Sequence, residues 1–508
     1  MPCGKSEKTI YHKKGLLSPD FHEEDLQSIR EISGIQNNVS NSLYTSYLGK
    51  VNFTYDLVDG DKTAYLQTMH KVGNSLVGIK IIDYNENKID INRNYTLREL
   101  VSMKTQTIGI HENKVDFVAT LLVNRKIAHM ERETLELNKI KKLLSENSTR
   151  KLEMDAKRLY PGLSQNISLK SLYKLRKIIL SKNSSVDIMF NTINYLDFLY
   201  KSTGMTSVNG LRVLVSVCNV PNLDNAFFTG KYMVYGEGDT QFNPLVSIDV
   251  IGHELSHGLV SGTADLTYRG HSGALNESFA DIMGTMFEFY MYDKYNNDKD
   301  DTNDIIGESD WNIGEDLGVN MPYLRSMSNP ESARQPSRLN GKFYMDPTSQ
   351  VDYGGVHINS GIPNYCFYSA CRMTKNKSQT LSTFINCLKK LSSDADFNEF
   401  AKTLIECSKS TQKEDIYNSL KLVGLDRYVS PPKDEEEPPK DEEEPPKDEE
   451  EPPKDEKEPP KDEEEPPKDK EEPPKDKEEP PKDKDECKCT CVCTCVCKCC
   501  FCVKIRGL

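Results

Sequence analysis

The sequence has no apolar run as long as the ~18 residues that a membrane-spanning helix needs. Its first residues, Met1-Pro2-Cys3-Gly4-Lys5, lead into charged positions and show no apolar core of a signal peptide. We therefore expect synthesis in the cytoplasm without Sec-type export, while the final location stays open between membrane association and release by another route. Histidine is also scarce, at 9 of 508 residues, so a chance pair at metal-binding spacing is uncommon.

The body of the chain has almost no net charge. The formal charge of −14 is concentrated in residues 431–486, which hold 12 lysines and 28 acidic residues, whereas residues 1–430 sum to −2. The acidity is therefore a property of the tail and says little about the partners of the body, for which we expect no nucleic acid.

The tail has two parts of different composition. Residues 431–486 are eight heptapeptides of the form Pro-Pro-Lys-Asp-Glu-Glu-Glu, and two prolines per repeat exclude a coiled coil and predict a disordered, extended segment. Residues 487–508 contain nine of the 15 cysteines. Three hypotheses stay open for these nine: a metal–thiolate cluster, an acylated membrane anchor, and intermolecular disulfides or no defined role. The other six cysteines follow no spaced framework, which predicts mostly free, buried thiols.

Composition divides the body into segments. Residues 1–40 are polar and are interpreted as an N-terminal extension or a short prosegment, and alternating apolar runs between residues 41 and 92 predict short strands. Residues 125–182 hold 15 Lys and Arg against 6 Asp and Glu. Their spacing predicts two basic amphipathic helices separated near Pro161-Gly162, in an insertion at about 93–185. Solvated lysines, an anionic partner surface and a contact with the acidic tail remain alternative explanations of this charge.

The segment His253-Glu254-Leu255-Ser256-His257 places two imidazoles four residues apart, on one face of a helix. Both rings could hold a zinc ion, with Glu254 beside the open coordination position as the base that activates water. Glu277 lies 20 residues after His257 and could be a third ligand from a second helix, with Asp281 on the same face orienting an imidazole. Taken alone, each group could be an ordinary polar helix face.

Together, these motifs resemble the thermolysin-like zinc metallopeptidases, or gluzincins. The resemblance is specific over about residues 186–364, more general over 41–92 and 365–430, and not found over 93–185 or in the tail. It implies a monomer with an α+β fold of two lobes and the active site between them. The β-rich N-terminal lobe at 41–262 would end in the active-site helix, and a mainly α-helical C-terminal lobe would follow at 263–430.

The resemblance also implies roles for residues outside the motif. His357, oriented by Asp352, and Tyr268 are expected to stabilise the negative charge that develops on the carbonyl oxygen. Asp352 and His357 belong to the segment 352–361, and Tyr268 lies eleven residues after His257.

Substrate-binding positions follow from the same resemblance. Asn225 and Ala226 match an edge strand that holds the substrate extended, and Arg325 matches the residue that bonds a substrate carbonyl. The residues expected to line the pocket for the side chain after the scissile bond are all apolar: Phe242, Leu245, Val250 and Leu324.

Calcium ligands are implied as well. The matching acidic residues are Asp249, Glu288, Asp310 and Glu315, with Asn312 at a position where the family can use a backbone carbonyl. Hard oxygen ligands at this density suit Ca²⁺. Residues 293–304 depart from the family spacing, so the number of ions stays open, and a solvated acidic loop is the alternative.

These residues predict a zinc-dependent endopeptidase, a hydrolase that acts on polypeptides. It should cleave before bulky hydrophobic residues, by attack of a zinc-bound water assisted by Glu254. The competing hypothesis is a binding or structural protein that keeps the peptidase fold without turnover. The presence of Glu254, His357 and Tyr268 favours the enzyme.

Overall fold

A computed structural model describes residues 38–58, 62–91, 93–145, 149–239, 241–297, 309–318 and 322–432. The predictions for residues 1–37, for the acidic repeats with their predicted disorder and for the cysteine-rich tail concern residues outside these ranges. Within the described ranges, no helix is both long and apolar enough to cross a membrane.

The first sheet is antiparallel, with strand order β1-β2-β3-β6. Its strands are β1 (Asn38–Thr45), β2 (Gly49–Val58), β3 (Thr63–Tyr65) and β6 (Thr107–Gly109). In β2, Val51, Phe53 and Tyr55 are buried and the residues between them are exposed, as the side-chain period of two requires. Because β6 belongs to this sheet, the first sheet extends past residue 93, the predicted start of the insertion.

The second sheet has strand order β4-β5-β7-β9-β8. Its strands are β4 (Gln67–Val72), β5 (Ser75–Asp83), β7 (Val213–Val220), β8 (Ala226–Phe228) and β9 (Met233–Gly236). The pairs β5–β7 and β7–β9 are parallel, and β7 is apolar on both faces, as a strand buried on both sides should be. β8 pairs antiparallel with β9 and is an edge strand, where the sequence analysis placed one.

Most of the chain between β5 and β7 is helical. They are α1 (Tyr84–Asn87), α2 (Leu97–Ser102), α3 (Ile110–Glu131), α4 (Thr134–Leu144), α5 (Thr149–Leu159) and α6 (Leu169–Thr203). The prediction of two helices over residues 125–182 was wrong, because the end of α3, all of α4 and α5 and the start of α6 lie there. A 3₁₀ turn at Pro161–Leu163 occupies the predicted break. The end of α3 was not predicted, because Arg132 ends that helix in the left-handed conformation. A residue other than glycine rarely adopts this conformation, so the sequence carries no signal for the end of the helix.

The helices α3 to α6 enclose a hydrophobic core of their own. Ile140, Leu144, Ala156 and Leu172 are buried in it together with apolar residues of α3. α6 continues without interruption past residue 185, the predicted end of the insertion. The domain bounds at 93 and 185 stay predictions, as does a partner for the basic helices.

The chain after residue 247 is mainly helical. Its helices are α7 (Ile248–Ser261), α8 (Gly270–Asn297), α9 (Asp352–Asn359), α10 (Gly361–Thr374), α11 (Lys377–Leu388), α12 (Phe397–Cys407) and α13 (Ser410–Leu422), and two short strands, β10 (Asn312–Ile313) and β11 (Arg325–Ser326), pair between α8 and α9. One core joins these helices to both sheets, with Leu255, Phe287 and Phe367 fully buried in it. The predicted α+β architecture, β-rich first and mainly α-helical afterwards, is confirmed.

Five of the six cysteines outside the tail are described, and all five are free. Four of them are buried and Cys407 is partly exposed, which confirms the prediction for these five. The sixth, Cys3, lies outside the described residues.

Candidate metal centre and surrounding cleft

Three side chains from two helices converge on one point. His253 and His257 lie one turn apart on α7, and their Nε2 atoms are 3.1 Å apart. Glu277 on α8 places Oε2 3.6 Å from Nε2 of His253 and Oε1 3.6 Å from Nε2 of His257. Two imidazole nitrogens and a carboxylate are the ligand set of many catalytic zinc sites, which keep a fourth position open.

Close packing of α7 and α8 makes this convergence possible. A Cβ atom built on Gly284 of α8 would lie 2.5 Å from the Asp249 carbonyl oxygen and 3.1 Å from the His253 nitrogen. Gly252 of α7 meets Gly284 in the same way, with 3.0 Å between its built Cβ and the Gly284 Cα atom. A side chain at either glycine would separate the helices and withdraw Glu277 from the histidines.

One carboxylate oxygen of Glu277 is free to bind a cation. Oε2 of Glu277 is buried and meets no hydrogen-bond donor in the described residues. Burial raises the pKa of Glu277, but the imidazoles of His357, His257 and His253 outweigh it and lower the pKa to about 2. A buried, ionised carboxylate with an orphaned oxygen beside two imidazoles fits a metal ion.

The outer nitrogens of both histidines face oxygen atoms. Nδ1 of His253 lies 2.8 Å from Oδ1 of Asp281, at the position that the sequence analysis gave to Asp281. Nδ1 of His257 is 2.9 Å from Oδ1 of Asn276, whose amide nitrogen donates to the Leu266 carbonyl oxygen. Sequence reasoning missed Asn276 as an orienting residue; its only signal was its place directly before Glu277. Such partners fix the tautomer and the ring orientation of histidine ligands.

Asp281 is itself held by a dense set of donors. The guanidinium of Arg325 on β11 donates to both carboxylate oxygens, with 2.8 Å between Nε and Oδ2, and Asn364 donates to Oδ2 at 2.8 Å. Burial raises the pKa of Asp281, but Arg325 and His253 outweigh it and hold the pKa well below its usual range. No sequence pattern predicts this Arg325–Asp281 pair, and the contact of Arg325 with a substrate carbonyl stays a prediction.

Glu254 lies in the same helix turn as His253 and is buried, with 5 % of its surface exposed. Burial, assisted by the charge of Glu277, raises the pKa of Glu254 to about 7, against the lowering effect of His257, Arg325 and His357. A carboxyl group with a pKa near neutrality can both accept and release a proton.

A second set of polar groups borders the centre: Tyr268, just before α8, and Asp352 and His357 on α9. Tyr268 donates its hydroxyl to Oε1 of Glu277, and the Tyr268 hydroxyl oxygen lies 3.0 Å from Nε2 of His357. Nδ1 of His357 is 2.6 Å from Oδ1 of Asp352, and its backbone N–H donates to Oδ2 of Asp352 at 2.9 Å. Burial lowers the pKa of His357, but Glu277 and Asp352 outweigh it and raise the pKa. The structure thus brings Tyr268 and His357 against Glu277, and Asp352 against His357.

The segment that carries Asp352 and His357 begins with a left-handed turn. Residues 352–355 all have positive φ, from 49° at Tyr353 to 89° at Gly354. A Cβ atom on Gly354 would lie 2.2 Å from the Pro347 carbonyl oxygen, so only glycine fits there. This turn brings the Asp352 carboxylate back to His357.

The other predicted substrate-binding residues lie at β8 and in the main core. Asn225 precedes β8, and its side-chain oxygen is buried with no hydrogen-bond partner in the described part of the chain. Ala226 opposes Tyr235 of β9. The four residues expected to form the apolar pocket all belong to or pack against the main core, with Leu324 less buried than the others: Phe242, Leu245, Val250 and Leu324.

Acidic side chains form a second cluster near the far end of α8. Carboxylate oxygens of Glu288, Asp310 and Glu315 lie within 4.8 Å of one another. Burial, together with Asp249 and Asp316, raises the pKa of Glu315 to about 10, and burial and Glu315 raise the pKa of Glu288. Asp249 is buried at the edge of this cluster and accepts from the Gly314 N–H. Asn312 directs its amide nitrogen and its backbone N–H to Asp310.

Comparison with known proteins places the chain in one family. Residues 45–261 match the profile of the thermolysin metallopeptidase catalytic domain, and residues 264–424 match that of the thermolysin metallopeptidase alpha-helical domain. The first match includes residues 93–185, where the motifs alone showed no resemblance.

Individual relatives agree with these profiles. The chain is 38 % identical over 206 residues to neutral protease NprE of Bacillus pumilus, which covers 40 % of this chain and 62 % of the relative. It is 38 % identical over 206 residues to bacillolysin of Bacillus subtilis (strain 168), covering 40 % of this chain and 36 % of the relative. It therefore spans between about a third and two thirds of the curated relatives it matches. A solved structure, the precursor of protealysin, a metalloproteinase from Serratia proteamaculans, is 28 % identical, with a TM-score of 0.41 over 48 % of this chain and 78 % of that chain.

Proposed function

Because this chain belongs to the thermolysin metallopeptidase family, we propose that it is a zinc-dependent endopeptidase acting on polypeptides. The observation that carries the proposal is the convergence of His253, His257 and Glu277 on one point, with Glu254, Tyr268 and His357 beside it. A fold kept only for binding would not need a water-activating carboxylate together with two oxyanion donors at the same point.

His253, His257 and Glu277 would hold the ion, and Asp281 and Asn276 would fix the two rings. Zinc in such a site supplies a Lewis acid that acidifies water and polarises a carbonyl group. Glu254 takes the proton of the attacking water and later delivers it to the leaving amine. His357, oriented by Asp352, and Tyr268 donate hydrogen bonds to the negative charge that develops on the carbonyl oxygen.

The substrate is proposed to lie extended along the free edge of β8. Backbone groups of Ala226 and the orphaned side-chain oxygen of Asn225 can then bond the substrate backbone, as in strand addition. Arg325 would reach a substrate carbonyl from its position on Asp281. Phe242, Leu245, Val250 and Leu324 are proposed to line the pocket after the scissile bond, and all four are apolar, so we propose cleavage before bulky hydrophobic residues.

Replacing Glu254 by glutamine tests the proposed reaction. The variant should bind one zinc ion per chain, as the wild type does, and lose about 10²–10⁴-fold in kcat towards a quenched fluorescent peptide. Glu414→Gln, on an exposed position of α13, is the matched control and should keep wild-type activity. Full activity of a zinc-loaded Glu254→Gln variant would refute the mechanism, and a zinc-loaded wild type without peptidase activity would favour the binding-protein hypothesis.

We also propose that the cluster of Asp249, Glu288, Asp310 and Glu315 binds Ca²⁺. Buried carboxylates with raised pKa values repel one another, and a cation with hard oxygen ligands relieves that repulsion; a solvated loop would not bury Glu288 to 1 % exposure. At a calcium concentration 100 times Kd, the stability should rise by about 2.7 kcal/mol. In the Glu288→Gln variant, calcium should no longer raise the free energy of unfolding measured by urea titration. An equal rise in the variant would exclude these ligands.

A further inference from the structure

Tyr353 combines three features that the proposed mechanism does not use. Its backbone is left-handed, with φ 49°. Its side chain is 53 % exposed, in contrast to the buried Asp352 before it and Gly354 after it. Its ring packs edge-on against Tyr268, with 5.9 Å between the ring centroids.

The left-handed conformation disfavours a large side chain at this position. Glycine or asparagine adopts it with less strain, whereas the Cβ atom of tyrosine approaches its own carbonyl oxygen. The neighbouring residues of the turn have identified roles. Asp352 bonds His357, and any Cβ atom at Gly354 would collide with the Pro347 carbonyl oxygen. Strained residues that persist beside a catalytic group are often part of its function.

The position of the Tyr353 ring indicates which part of a substrate it can contact. Tyr268, on which it packs, has its own ring centroid 6.2 Å from that of His257 and 6.1 Å from that of His357. Tyr353 and Tyr268 therefore form an aromatic flank beside the reacting groups. The apolar pocket proposed for the residue after the scissile bond is made of other residues, so this flank is available to the other side of the substrate.

We propose that Tyr353 is a specificity-determining residue that binds a large apolar or aromatic side chain directly before the scissile bond. The inference rests on the proposed peptidase function. Edge-to-face contacts between aromatic rings increase affinity modestly, so the expected effect on relative kcat/KM is about 3-fold to 10-fold. The exposed hydroxyl is not needed for such packing, so phenylalanine should replace tyrosine.

A peptide series with a fixed leucine after the scissile bond and phenylalanine, leucine or alanine before it tests the inference. The full-length wild type should hydrolyse the phenylalanine peptide with the highest kcat/KM. Tyr353→Asn should reduce the phenylalanine-to-alanine ratio by about 3-fold to 10-fold, while Tyr353→Phe should keep it. The melting temperature of Tyr353→Asn should not fall, because asparagine suits the left-handed backbone.

Phe343 provides a matched control elsewhere in the chain. It is also a left-handed aromatic residue, with φ 67° and 37 % exposure, and its ring lies under the Lys342 ammonium group. Phe343→Asn should relieve similar strain without changing the selectivity ratio. An unchanged ratio in Tyr353→Asn, or an equal loss in Phe343→Asn, would overturn the inference. A wild type that hydrolyses no peptide would overturn the proposed function instead.

Discussion

Replacing Asp281 by asparagine should destabilise the protein by about 3–5 kcal/mol, because it removes the only carboxylate that the structure shows hydrogen-bonded to the buried Arg325 guanidinium in the described residues. Arg325 is 7 % exposed and Asp281 is fully buried. The change keeps the shape of the side chain, so any loss reports on charge and hydrogen bonding, with little contribution from packing.

The magnitude follows from the donors around Asp281. Its two oxygens accept from Arg325 and Asn364, and Nδ1 of His253 lies 2.8 Å away. An asparagine amide has only one acceptor oxygen, so its NH₂ group must face at least one of these donors. A guanidinium with a single neutral partner in a buried site is the costly case of a broken ion pair. The same change should lower zinc affinity by about 10-fold to 100-fold, since it removes a partner of a ligand imidazole.

Urea unfolding in the presence of a zinc chelator measures the stability term separately from metal binding. Asp394→Asn, at an exposed position, is the control and should change stability by less than about 0.5 kcal/mol. Arg325→Met in the Asp281→Asn background should recover most of the loss, because it removes the uncompensated charge. A loss below about 1 kcal/mol, or no recovery in the double variant, would refute this account of the pair.

Three further outcomes are expected. Burial raises the pKa of Asp187 from 3.8 to about 8. Between these two pH values the folded protein keeps a proton that the unfolded chain has lost, so the stability falls as the pH rises through this window. Asp187→Asn should therefore gain stability relative to the wild type between pH 5 and pH 8 in urea titrations; a constant difference would contradict the shift. Gly354→Ala should cost at least about 2 kcal/mol in the same assay, since its Cβ would overlap the Pro347 carbonyl oxygen, and a smaller cost would show that the turn can relax. In brief alkylation followed by peptide mapping, Cys407 should react before the four buried cysteines, Cys218, Cys366, Cys371 and Cys387. Burial raises the pKa of each of these four thiols. Equal labelling of all five would contradict their burial.

Regular patterns in the sequence predicted the parts of the fold that depend on local periodicity. The strand alternation at residues 51–55 and the spacing of His253 and His257 on one helix face both appear in the structure. The helix count over residues 125–182 failed, because the left-handed end of α3 at Arg132 leaves no mark in the apolar spacing. Asn276 was also missed, since no spacing rule links an asparagine to a histidine 19 residues earlier.

Contacts between distant segments could be anticipated only where a family resemblance supplied them. The Arg325–Asp281 pair joins residues 44 positions apart, and no local rule of charge or periodicity predicts it. The aromatic flank of Tyr268 and Tyr353 joins residues 85 positions apart in the same way. Both depend on how β11 and α9 pack against α8, which is a property of the assembled fold.

The sequence by itself determined the chemical types at the centre and their order along the chain: two histidines at helical spacing, a glutamate between them and, downstream, an acidic candidate for the third ligand. Local backbone geometry is enough for that, because a helix repeats every 3.6 residues. Only the tertiary structure decided that Glu277 reaches the two imidazoles. That contact requires α7 and α8 to approach at Gly252 and Gly284, and such an approach depends on packing across the whole core.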